Sequence, residues 1–128
     1  MPNSTCAETI AEYFAALRAM DTERWVNTFA EDAVSHDPVG APPHHGHAEL
    51  RTFLTGVMSL FDQLGLTEDQ VFLHSNSAAV KWTGSGVGRN GAKVTFEGVD
   101  VIDCNAEGKI ILVRAFWDPS PVLSAVQG

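Results

Sequence analysis

The chain has 128 residues, a formal net charge of −8, two cysteines, and hydrophobic residues at 45 % of positions. That length supports one domain over residues 1–128, with a core that needs no staple, and the acidic balance argues against nucleic acid or an anionic membrane surface as partner. Cys6 and Cys104 have no metal-type spacing, so reduced thiols in a cytoplasmic protein are expected. The amino terminus lacks a basic stretch followed by an apolar one, and no apolar run approaches the ~20 residues a membrane-spanning helix requires. Neither export nor membrane insertion is expected.

Thr5 and Glu8 form a capping-box pattern, after which Ile10, Tyr13, Phe14 and Leu17 recur at helical spacing, so a first helix is expected over about residues 6–19. Tyr13 lies on the buried stripe of that helix, where its ring packs inside and its hydroxyl needs a partner. Asp21 can cap a short second helix carrying Trp25, Val26 and Phe29. Asp37-Pro38-Val39-Gly40 then reads as the point where a short strand becomes a fixed loop, because proline holds the preceding residue extended. A carboxylate held there beside Val34 and Val39 could act as a general base, although an Asp-Pro pair is commonly only a turn start.

His36, His44, His45 and His47 crowd this segment. Their spacing matches no helical ligand pattern, so they read as loop histidines and no metal site is expected. A third helix over about residues 48–61 carries the stripe Leu50, Phe53, Leu54, Val57, Met58 and Phe61, suited to packing across a concave sheet face. Strands follow at about residues 70–75, 78–86, 93–103 and 109–117, joined by turns at Ser75-Asn76-Ser77, Arg89-Asn90-Gly91 and Asn105-Ala106-Glu107-Gly108. Helices before an antiparallel meander indicate an α+β fold, a curved, mostly antiparallel sheet packed against three N-terminal helices around a cone-shaped pocket. Gly84, Gly86 and Gly88 would allow its bends, and the tail after Pro119 is expected to cover an edge.

The strand over residues 94–103 carries the most chemistry. Alternation puts Val94, Phe96, Gly98, Asp100 and Ile102 on one face, which is apolar except for Asp100. An ionised carboxylate there loses hydration without a compensating charge, so its pKa rises and the group stays neutral. A neutral carboxylic acid donates a hydrogen bond, which suits it to holding a developing oxyanion. A wet strand end is the alternative setting.

Together these residues resemble the ketosteroid isomerases of the nuclear-transport-factor-2-like superfamily. The likeness runs through Glu12-Tyr13-Phe14-Ala15-Ala16-Leu17, Ala30-Glu31-Asp32-Ala33, Asp37-Pro38-Val39-Gly40, Pro43, Gly46, Asp100 and Arg114-Ala115-Phe116-Trp117. The resemblance implies that Asp37 is the base that moves a proton between carbons of an unsaturated ketone, and that Tyr13 and Asp100 donate hydrogen bonds to the dienolate oxygen. It also implies a steroid-like or terpenoid ketone as substrate, no cofactor, and a homodimer formed through the outer sheet face. Val39, Phe53, Leu54, Met58, Phe61, Trp82, Phe116 and Trp117 are the candidate pocket lining.

Two departures bear on substrate and rate. Leu54 stands where well-known members carry a second tyrosine, and His36 where members often carry an acid. The alternatives on the same scaffold are a SnoaL-like polyketide cyclase and a noncatalytic ligand-binding domain. Epoxide-hydrolase relatives place an arginine between the aspartates; Gly98 offers no such group.

Overall fold

The computed structural model describes residues 2–128, with side chains from Thr5 onward. In chain order it forms α1 (Pro2–Arg18), α2 (Thr22–Val26), β1 (Phe29–His36), β2 (His44–His45) and α3 (Gly46–Met58). β3 (Phe61–His74), β4 (Ser77–Gly88), β5 (Lys93–Cys104), β6 (Ile110–Phe116) and α4 (Ser120–Gln127) follow. The six strands make one curved sheet in the order β2-β1-β6-β5-β4-β3. β1 pairs with β6 in parallel and every other neighbouring pair is antiparallel.

The expected α+β arrangement is thus observed, and hydrophobic periodicity explains it. Ile10, Tyr13, Phe14 and Leu17 are all buried and set α1 against β3, while the stripe on α3 faces β1. On the inner sheet face, Val80, Trp82 and Ile102 join those helical residues in one core. Asp21 caps α2, its side chain accepting from Arg24 N at 3.1 Å. Arg24 pairs in bidentate fashion with Glu12, and Arg51 with Glu23. These pairs are exposed, so each contributes little energy, but they tie α2 to both of its helical neighbours. The hairpin between β4 and β5 turns at Asn90-Gly91, where Gly91 takes φ +86°, a conformation glycine adopts without penalty.

Across β4 and β5, rings and glycines interlock. Trp82 pairs in register with Gly98, and Gly84 with Phe96. A Cβ built at Gly98 would lie 2.5 Å from Trp82 Cζ2, and one at Gly84 would overlap the Phe96 ring. The glycine at Gly84 therefore makes room for an aromatic ring, a role distinct from the bending expected of it.

Four expectations are corrected. α1 already includes Thr5 and Glu8, so they are not its cap. α3 ends at Met58, and Phe61 opens β3, which starts well before residue 70; β3 bulges between Glu68 and Gln70 and shifts register there, which hid the period-two pattern. The tail forms α4, which packs on β4 and β5, where only edge cover was expected. Finally, Cys6 and Cys104 are joined by a disulfide across 98 positions of sequence, where reduced thiols were expected. Sequence spacing could not reveal this, because only the packing of α1 across the sheet brings the two together. The argument from reduced thiols to the cytoplasm falls with it. No helix among the described residues is long and apolar enough to cross a membrane.

Candidate active site

β5 delivers Asp100 to the inner face as alternation requires: Phe96, Gly98, Asp100 and Ile102 are each less exposed than the residue before them. Its neighbours in register are Val80 and Ala115, which offer no charge, and only 2 % of the residue is exposed. Its partner is the Trp82 indole, whose Nε1–H donates to Asp100 Oδ1 at 3.0 Å. Burial, and then the nearby Asp37 charge, push the Asp100 carboxyl up to about 8, with the Trp82 hydrogen bond pulling the other way. Asp100 is accordingly protonated at neutral pH.

Asp37 is the first residue after β1, and the loop it begins is held by Val39 N donating to Ala115 O at 2.8 Å. Its Oδ1 accepts from Trp117 Nε1 at 2.8 Å. Burial raises its pKa above the usual carboxylate range, while the Trp117 hydrogen bond and the His44 charge restrain the rise. The two carboxyls are thus each tied by one indole, and those indoles meet edge to face, 5.8 Å between ring centroids.

Tyr13 approaches from α1, its ring packed between Phe14, Trp25 and Phe29. Burial holds its hydroxyl protonated well above the usual phenol range, reinforced by the charges of Asp100 and Asp37 and opposed by the neighbouring Trp25 indole. Trp25 Nε1 itself makes no hydrogen bond of ordinary geometry. Leu54 presents only apolar surface at the position where the resemblance anticipated a second tyrosine.

Tyr13, Asp37 and Asp100 line a single cavity of about 230 Å³. Of the expected lining, Phe53, Leu54, Phe61, Trp82 and Trp117 are present. Val39, Met58 and Phe116 are not. Val39 lies exposed on the turn after Pro38. Met58 faces α2, its sulfur accepting from Thr22 Oγ1 at 3.6 Å. Phe116 pairs with Val99 on the outer sheet face. The sequence reading missed Leu17, Trp25 and Val57 from the helices, Leu64 and Leu66 from β3, and Pro119, Val122 and Leu123 at the tail. Phe96 was available from the same alternation that found Asp100. The donor role of Trp82 and Trp117 was missed as well, since an indole reads first as apolar surface.

The loop histidines are engaged separately. His44 packs on Phe53 at 4.3 Å between ring centroids, and His47 Nε2 lies 2.8 Å from Phe29 O. Among the described residues no three His, Cys, Asp or Glu side chains gather as metal ligands would.

A curved sheet and helices enclosing an apolar cavity lined by two carboxyls define the cone-shaped α+β class. The chain belongs to the SnoaL-like domain family, whose pattern it matches over residues 10–113. It is similar to the solved structure of the epoxide hydrolase/cyclase-like enzyme SalBIII, described in pyran ring formation in the polyether salinomycin. The identity is 26 %, over 91 % of this chain and 93 % of that one, with a TM-score of 0.81. An NTF2-like protein of unknown function from Burkholderia pseudomallei shares the fold at 18 % identity and TM-score 0.84, over 97 % of this chain and 98 % of that one.

Proposed function

We propose that the protein is a cofactor-independent isomerase that moves a carbon–carbon double bond into conjugation with a ketone. The observation carrying this reading is the unequal pair of carboxyls in one apolar cavity: Asp100, pushed to about 8, and Asp37, whose rise is restrained by Trp117 and His44. Asp100 is suited to donate a hydrogen bond at neutral pH, and Asp37 is assigned the role of base, which is the division of labour that enolisation needs. Asp37 takes the proton from the carbon between the carbonyl and the double bond. The electron pair moves into a dienolate whose oxygen accepts hydrogen bonds from Tyr13 and Asp100, and Asp37 returns the proton to the far carbon of the diene. No atom is gained or lost. The apolar walls favour a steroid-like or terpenoid ketone with one oxygen at the carboxyl end. Two copies pair through the outer sheet face, where Phe72 and Phe116 are exposed.

A cyclase reading is favoured by the likeness to SalBIII: Asp37 would deprotonate a hydroxyl as Asp100 protonates the group it displaces or adds to. A 3-oxo-Δ5-steroid assay, following conjugated-enone absorbance, tests the isomerase. Turnover by the wild type, lowered by orders of magnitude in Asp37→Asn, is expected. Saturable binding of an equilenin-like phenol without any turnover would overturn the isomerase reading and leave a carrier or cyclase.

A further inference from the structure

The buried Asp100 carboxyl meets the Trp82 indole, and that indole sits in a seat built for it. Trp82 is 1 % exposed. It lies edge-on to both Phe96 and Trp117, and rests over Gly98, where a Cβ would come within 2.5 Å of Trp82 Cζ2 and 2.8 Å of Phe116 O. No residue larger than glycine fits beneath the ring without moving it. Gly98 precedes Asp100 by two positions on the same strand face, so the ring that covers the glycine brings its N–H to the carboxyl at 3.0 Å.

We propose that Trp82 is the positioning residue for Asp100: its N–H fixes Oδ1 as the accepting oxygen and confines the acid proton to Oδ2, the oxygen left for a ligand. An indole N–H only donates, so it cannot share or remove that proton. Among the described residues Asp100 makes no other side-chain hydrogen bond, and it lines the cavity, so Oδ2 is the oxygen the indole does not take. The group therefore has one orientation with its proton on the ligand side, where a freely rotating acid would present either face. The titratable groups acting on Asp100 are Asp37 from the β1 end and Tyr13 from α1, coupled to it through space; its strand neighbours Val80 and Ala115 carry none. This assignment rests on Asp100 being the protonated member of the pair but not on the identity of the substrate.

The test needs no turnover. In the full chain, the aspartate Cγ signals and the tryptophan indole N–H signals are followed by NMR across the neutral and alkaline range, with Asp100→Asn assigning Asp100. The Trp82 indole signal should move with the same midpoint as Asp100 Cγ, and the Trp25 indole should not. In Trp82→Phe the Asp100 midpoint should rise by on the order of one pH unit while the Asp37 midpoint stays within a few tenths of one. Gly98→Ala, whose added Cβ crowds the Trp82 ring most closely and also Phe116 O and Trp117 Cβ, should move Asp100 in the same direction. A Trp82 indole signal indifferent to pH, or an unmoved Asp100 midpoint in both variants, would overturn the proposal. If the titration behaves as expected and no steroid is turned over, the isomerase reading fails alone.

Discussion

Replacing Asp100 by asparagine should change how stability depends on pH more than it changes stability itself. The folded carboxyl titrates near about 8 against an ordinary value of 3.8, so between those limits the folded chain holds a proton that the unfolded chain has released. A group with a raised folded pKa favours folding fully below its unfolded value, and that contribution is lost as pH rises through the folded one. At about 1.4 kcal/mol per pH unit, the wild type loses about 6 kcal/mol across this window on account of Asp100 alone. The amide cannot ionise, and its carbonyl oxygen still accepts from Trp82, so Asp100→Asn removes the slope while keeping the bond. Any cost of seating the new amide N–H₂ is a constant offset that pH does not alter. Urea unfolding of both proteins at several pH values gives the difference directly. Asn should gain on Asp by about 1.4 kcal/mol for each unit raised between pH 4 and 8, a window set by the cited values. Parallel stability curves would refute the reasoning, because Asp100 would then titrate alike in the folded and unfolded chain.

Four further outcomes are expected. Asp37→Asn should lower isomerase turnover by about 10²–10⁴-fold, and Tyr13→Phe by about 10²–10³-fold, in steady-state enone assays, with the phenol still bound by the Asp37 variant. Replacing both Cys6 and Cys104 by serine should cost about 4–5 kcal/mol in urea melts, as the chain-entropy account gives for a bridge spanning some hundred residues. Phe72→Glu, on the outer sheet face, should dissociate the proposed homodimer in sedimentation; a dimer that persists would place the interface elsewhere.

Where periodicity was clean the sequence was legible. The stripe on α1 named Ile10, Tyr13, Phe14 and Leu17, all buried, though not Cys6 and Ala16, which are buried with them, and strict alternation in β5 found the one acid on its inner face. Asp37 followed from the local stiffness of an Asp-Pro pair. What escaped had non-local causes. β3 shifts register between Phe61 and Gln63 as well as between Glu68 and Gln70, so Leu64 and Leu66 fall out of period with Phe61 and could not be read as pocket wall. Val122 and Leu123 face the cavity only because α4 folds back on β4 and β5. The two indole donors depend on cross-strand placement that no spacing along the chain records, and the same is true of the disulfide.

The parallel pairing of β1 with β6 has its own consequence. Strands that run the same way leave a sheet on the same side, so Asp37 and Trp117, each the first residue beyond its strand, emerge together. Their approach is set by backbone pairing, such as His36 opposite Arg114, and not by the connecting segment over residues 40–43. The meeting of Asp37 with Trp117 therefore survives changes in that segment that leave the β1–β6 ladder intact, apart from Gly40, whose φ of +99° favours glycine.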